Sequence, residues 1–227
     1  IPAEIPAVLD RLTRHMEVSL TLDVLGGAAG DEKHELKFDP RRVADERVLE
    51  TPLHRPRLLP IIASVVLAKA LLKKAPGGID GFVVEGPTAG GHNAPPRGQQ
   101  RLNERGEPIY GERDEVDPEQ MRALGLPFWL AGAYATRAKF EAAIACGARG
   151  VQVGTIFALC RESGLDPALR ERVLRRVLRG ETGVFTDPLA SPTGFPFKLG
   201  SLDHSLSQAE VYEARPRPAR LLEWTPP

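Results

Sequence analysis

Residues 81–95 read GFVVEGPTAGGHNAP. Phe82, Val83 and Val84 form an apolar run that ends on Glu85, and a loop with glycine at positions 86, 90 and 91 follows at once. A short continuous apolar run bounded by glycine marks a strand covered on both faces. Three more such runs flank it: LLPIIA at 58–63, PFWLA at 127–131 and GVQV at 150–153. Helical patterns fill the intervals at 65–74 and 136–146, the second closed by Gly147. A last helix starts from Asp166 as N-cap with Pro167 in its first turn, and stops before Gly180. Strands alternating with helices predict an α/β fold on a parallel sheet buried on both faces.

Upstream, Ile5, Val8, Leu9 and Leu12 predict a helix over 2–14. Residues 17–24 alternate polar and apolar, and Gly26, Gly27 and Gly30 turn them toward an extended piece at 34–38, which predicts a surface hairpin. Residues 39–57 are charged and irregular, and no element is predicted there. Residues 96–125, rich in charge and proline, are about three times longer than a usual connection. They read as a lid, or as a surface for a partner or second subunit.

Composition removes several functions. The chain has 227 residues with 30 basic and 30 acidic side chains, a formal net charge of zero. Nucleic acids and anionic membranes are normally met with excess positive charge, so neither is an expected partner. The five arginines between 170 and 179 accompany an apolar stripe, Leu169, Val173, Leu174, Val177 and Leu178. They read as the solvated face of a packed helix. No run approaches the ~20 apolar residues of a membrane helix. Two cysteines, Cys146 and Cys160, make no disulfide scaffold and point to a reducing, cytoplasmic setting. Neither cysteine has a histidine near it in sequence, so no metal site is expected.

The chemistry belongs to three loops after three of the strands: 85–95, 131–136 (AGAYAT) and 150–155 (GVQVGT). In parallel α/β folds ligands bind beyond the carboxyl ends of strands, and glycine lets backbone N–H groups approach a phosphate. Two such loops on the last two strands predict a phosphate site, with a small molecule as substrate. His92 is the histidine inside such a loop, placed to act as general acid or base, although an exposed loop histidine is the equal reading. His15, His34, His54 and His204 read as surface residues. Cys146, at the end of a helix, reads as core. Glu85 reads either as catalytic or as a brace accepting backbone N–H bonds.

VVEGPTAGGHNAP (83–95), LAGAYAT (130–136) and GARGVQVGTIFALCRES (147–163) resemble the nitronate monooxygenase family, and FMN-dependent enoyl-acyl-carrier-protein reductases are similar. The likeness is strong over about 58–163 and looser at TDPLASPTGFPFK (186–198). It implies a TIM (β/α)8 barrel with FMN across its carboxyl face. By position it makes His92 the catalytic histidine, puts Gly90 and Gly91 beside the cofactor, and makes Gly132 the phosphate turn after strand seven. Gln152, Val153, Gly154 and Thr155 become the tetrapeptide that grips the FMN phosphate. Ala133 and Tyr134 depart from the Gly-Ile of many members. A start at Ile1 then reads as the entry to the C-terminal half: residues 1–57 a helix plus hairpin, 58–180 strands five to eight with the phosphate loops, and 181–227 an extension. The hairpin or a second copy of the chain would cover the half-barrel's edges, which makes a homo-oligomer one expectation. The implied activity is oxidation of alkyl nitronates or nitroalkanes with oxygen. The alternatives are an enoyl-thioester reductase fed by NAD(P)H, or a remnant without catalysis.

Overall fold

Four strands form the sheet that the apolar runs predict: β3 (Ile61–Ile62), β4 (Phe82–Glu85), β5 (Phe128–Ala131) and β6 (Gly150–Gln152), in the order β3-β4-β5-β6. The β3–β4 and β5–β6 pairs are parallel, with Ile61 opposite Val83 and Trp129 opposite Gly150. The computed structural model describes residues 4–22, 34–75, 78–191, 195–203 and 207. Earlier in the chain come α1 (Ile5–Leu12), β1 (Val18–Leu22), β2 (His34–Phe38) and α2 (Glu46–Leu49). Helix α3 (Val65–Lys74) follows β3, α4 (Pro118–Arg122) precedes β5, and α5 (Arg137–Ala145) joins β5 to β6. The chain then runs through α6 (Thr155–Ala158), α7 (Pro167–Arg179), β7 (Val184–Asp187) and β8 (Phe197–Gly200). The protein is thus an α/β chain on a parallel sheet. No helix among the described residues is long and apolar enough to cross a membrane.

Two compact units divide the chain: residues 1–60 with 66–82, and residues 61–65 with 83–227. In the first, β1 and β2 pair antiparallel from Val18–Phe38 to Leu22–His34. The turn expected at Gly26, Gly27 and Gly30 lies outside the described residues. Arg55 clamps this unit: Nε donates to Asp10 at 2.7 Å, Nη1 to Asp80 at 2.9 Å and Nη2 to the Gly78 carbonyl at 2.9 Å. Asp80 also accepts from the Leu58 N–H at 2.7 Å. The Leu58 bond and the Arg55 charge outweigh burial and hold the Asp80 carboxyl below its usual range.

Local signals placed the helix ends well. Asp166 accepts from the Leu169 N–H at 2.9 Å, and Gly180 closes α7 in the left-handed region, φ 70°. Thr136 caps α5 through the Lys139 N–H at 3.4 Å. Strand β3 is shorter than the run at 58–63 because Pro60 has no N–H to give to a ladder. Burial on both faces holds for the inner strands, where Phe82, Val83, Val84, Phe128, Leu130 and Ala131 are buried. It fails at the edges, where Ile61 is 48% exposed and Gln152 is open to solvent. Burying a ring such as Phe128 contributes about 1.5–3 kcal/mol.

Three expectations are corrected. Residues 39–57 are not featureless: Asp39 caps a 3-10 turn at Pro40–Arg42, and α2 follows. His15 is not a surface residue. It is buried, with Nε2 2.8 Å from the Thr51 carbonyl, because its left-handed backbone (φ 54°) turns the chain sharply after α1. Arg172, Arg175 and Arg179 are exposed as expected, but the apolar stripe of α7 is only partly covered, with Leu169 and Val173 half-buried. No residue of that helix is buried, and Leu178 is 86% exposed. Arg176 instead turns in, to Asp203 and the Glu181 carbonyl.

Candidate functional site

Strand pairing sets the site. Ala131 lies opposite Gln152, so the loops leaving β5 and β6 start side by side. Gln152 closes β6 with its side chain exposed, Val153 is half-buried, and Gly154 and Thr155 are exposed where α6 begins. The β5 loop turns on Gly132 at φ +106° and Ala133 at φ +58°. A β-carbon on Gly132 would meet the Ala89 backbone nitrogen at 2.7 Å and Thr88 Oγ1 at 2.8 Å. Thr88 Oγ1 donates to the Gly132 carbonyl at 3.2 Å. Glycine at 132 is therefore required by its backbone angle and by the adjacent β4 loop. Ala133 holds a left-handed angle without being glycine, a strain of the sort that collects at functional sites.

The β4 loop is pinned from several sides. Asn93 is buried, and its Nδ2 donates to the Ala89 carbonyl at 3.0 Å. Gly91 takes φ +78°. A β-carbon on Gly90, Gly91 or Gly154 would meet nothing within 4 Å, so open space faces all three. His92 pairs with β8 through an isolated bridge to Phe197. The Lys198 N–H donates to the Gly91 carbonyl at 3.0 Å, and the Asn93 N–H donates to the Pro196 carbonyl at 2.8 Å.

Two contacts hold the imidazole. Nε2 lies 2.7 Å from Ser191 Oγ, and the ring packs edge-on against Phe197 at 4.8 Å between centroids, 72° between planes. Ser191 stands 99 residues away in sequence and is buried. A hydroxyl can donate or accept, so it partners the ring nitrogen whether His92 is neutral or protonated. Sequence reasoning missed Ser191 and Phe197. Their signal was faint: both lie in the loosely similar stretch 186–198.

Glu85 corrects the bracing reading, since it accepts no hydrogen bond among the described residues. Its carboxyl lines a small cavity, about 20 Å³, with Asn93, Arg97, Tyr110 and Asp114, and burial pushes it above the usual carboxylate range. The volume suits a water molecule. Arg97 is anchored by Nη2 to the Ala63 carbonyl at 2.6 Å and by its N–H to Asp114 at 2.8 Å. Tyr110 donates to the Ala94 carbonyl at 3.1 Å. Residues 96–125 are thus fastened beside the β4 loop.

A probable nitronate monooxygenase of Bacillus subtilis is 35% identical over 97 residues, which is 43% of this chain and 26% of that protein. The (3aS,4S,5R,7aS)-5-hydroxy-7a-methyl-1-oxo-octahydro-1H-indene-4-carboxyl-CoA dehydrogenases of Rhodococcus jostii and Mycobacterium tuberculosis are each 30% identical, over 122 and 120 residues. They align with 54% and 53% of this chain and with 30% of their own length. The chain therefore spans less than a third of the curated relatives it matches. Among solved structures, the FabK (M276A) mutant from Thermotoga maritima is 25% identical, covers 64% of this chain and 40% of that one, and has a TM-score of 0.43. The sequence model of the nitronate monooxygenase family matches residues 46–182, a span that takes in the His92 loop and both glycine turns. This chain belongs to the nitronate monooxygenase family, a family of oxidoreductases.

Proposed function

We propose that the chain is the FMN-bearing part of an oxidoreductase of nitronate monooxygenase type, with β3 to β6 as strands five to eight of a (β/α)8 barrel. The observation that carries the reading is the pairing of His92 with Ser191 at the carboxyl end of β4, next to the loops of β5 and β6. The residues fit the cofactor in one respect: open space faces Gly90, Gly91 and Gly154, and in this reading a phosphate or ring would occupy it. Gln152, Val153, Gly154 and Thr155 would hold the phosphate, with Gly132 shaping the turn beside them. FMN, when bound, supplies the redox chemistry.

The side chains supply proton handling and placement. His92 would take the acidic proton α to the nitro group of a nitroalkane, and a nitronate needs no such step. Ser191 Oγ holds the ring, and the edge of Phe197 fixes its plane. An imidazole nitrogen can take up a proton and give it back, which suits the ring to both directions of transfer. Two free, half-buried thiols, Cys146 and Cys160, are consistent with a reducing, cytoplasmic location.

A second reading has its own support, because two relatives are named as dehydrogenases of a carboxyl-CoA substrate. Those names support the thioester and not the direction of electron flow: in the enoyl-thioester reductase reading NAD(P)H is the electron donor, the enoyl thioester is the acceptor, and His92 donates a proton. Anaerobic mixing separates the two. Bleaching of the bound flavin by an alkyl nitronate, with NAD(P)H inert, is expected for the first reading. Bleaching by NAD(P)H and recovery on adding an enoyl-CoA would replace it with the second.

A further inference from the structure

Both groups that hold His92 belong to one small unit. Ser191 follows β7, and Phe197 opens β8. Strands β7 and β8 pair antiparallel, with Thr186 opposite Lys198 and Asp187 opposite Phe197. Where the chain leaves β7, Asp187 Oδ1 accepts from the Leu189 N–H at 2.6 Å. Strand β8 also lies along the His92 loop through the Lys198–Gly91 and Asn93–Pro196 backbone bonds. The position of the imidazole is therefore the position of this two-stranded unit.

A carboxylate from the long insertion fastens that unit. Residues 101–109 fold back on themselves: Leu102 bridges Pro108, the Ile109 N–H donates to the Arg101 carbonyl, and the Asn103 N–H donates to the Glu107 carbonyl, both at 2.9 Å. Asn103 Oδ1 accepts from the N–H groups of Arg105 and Glu107, each at 2.9 Å, which tightens the tip. Glu107 is carried inward, its side chain 15% exposed. Oε1 accepts from the Thr186 N–H at 3.0 Å, while Oε2 takes the Asn103 amide at 3.2 Å and faces Arg105 at 3.5 Å. Thr186 Oγ1 in turn accepts from Lys198 Nζ at 2.9 Å. Arg105 lies over the Phe185 ring at 6.0 Å. Burial alone would raise the Glu107 carboxyl, but the bonds from Thr186 and Asn103 and the charges of Arg105 and Lys198 hold it below its usual range. Burial pushes the Lys198 ammonium down, and the Glu107 charge opposes this.

We propose that Glu107 is a positioning residue for His92, acting through the chain Glu107–Thr186–β8–His92 so that the insertion sets where the imidazole points. The insertion then works as a strap on the site. The catalytic consequence rests on the assignment of His92 as the proton carrier, whereas the structural consequence does not.

The test measures Glu107→Ala and Glu107→Gln in the intact protein by four readouts: thermal melting, amide exchange at Asn93 and Lys198, NMR titration of the His92 ring, and kcat with KM. Losing a charge-assisted bond is worth about tenfold or more in an opening equilibrium. Asn93 and Lys198 should therefore exchange about tenfold faster in Glu107→Ala. The His92 titration midpoint should shift, and kcat should fall by about tenfold with KM within about twofold. Glu107→Gln keeps an acceptor for the Thr186 N–H and should recover most of each loss. Should Glu107→Ala fail to fold, Asn103→Ala, which loosens the tip and leaves the carboxylate, should speed the same two amides by about threefold. A lower melting temperature with unchanged exchange at Asn93 and Lys198 and an unchanged His92 titration would overturn the proposal and leave Glu107 as packing. Full turnover in a parallel His92→Gln variant would remove the proton-carrier reading alone, with exchange and titration still deciding for or against the strap.

Discussion

His92→Gln will lower turnover of a neutral nitroalkane by about 10²–10⁴-fold, the usual contribution of a positioned acid or base, and will leave turnover of a preformed nitronate and flavin binding close to the parent's. Glutamine keeps a polar group near Ser191 Oγ, which lies 2.7 Å from the native ring nitrogen, but its amide neither takes nor gives a proton in this role. The loop should stay in place, because its ties run through the backbone bonds Lys198–Gly91 and Asn93–Pro196. The flavin spectrum and the melting temperature should therefore match the parent protein. Steady-state turnover across pH is the measurement, and the His92-dependent limb of the profile should vanish. Unchanged turnover at every pH would mean that another group moves the proton. An equal loss with preformed nitronate would contradict a role confined to proton abstraction α to the nitro group.

Gly132→Ala is expected to have the largest effect on stability. An alanine at φ +106° costs about 1–3 kcal/mol in backbone strain alone. The new methyl would also lie 2.7 Å from the Ala89 nitrogen, a backbone atom that cannot turn aside. The loops of β4 and β5 must separate, so chemical denaturation should show the loss and flavin should be held more weakly. Gly154→Ala is the contrasting case. Its φ of −115° suits alanine, and its β-carbon would meet no protein atom within 4 Å. Its denaturation midpoint should stay close to the parent's while FMN affinity drops, because the added methyl enters the space assigned to the phosphate. Equal loss of stability in both variants would show that Gly154 is held by packing and touches no ligand.

Much of the sheet and its loops was legible because its signals are local. The apolar runs at 81–84 and 127–131, the Asp166 cap and the Gly180 stop each act within a few residues, and each lies where the pattern placed it. The surroundings of His92 were not legible for the opposite reason. Ser191 is 99 residues from it, and Glu107 is 79 residues from Thr186. No periodicity encodes a bond across such a distance. By sequence, glycine at 132 reads as contact with phosphate, yet Thr88 and the Ala89 backbone already require it. His15 misled because a single histidine carries no pattern, and its burial follows from the turn after α1. The α7 stripe misled in the other direction, since amphipathic spacing states that a face wants cover without saying what covers it.

Whether the carboxyl-end loops of this chain hold FMN is open to a simple binding experiment. The purified protein is mixed with excess FMN, passed through gel filtration, and scanned for visible flavin absorption. About one flavin per chain should elute with the protein, and less with Gly154→Ala. Colourless protein that keeps its fold by circular dichroism yet releases all added FMN would contradict it.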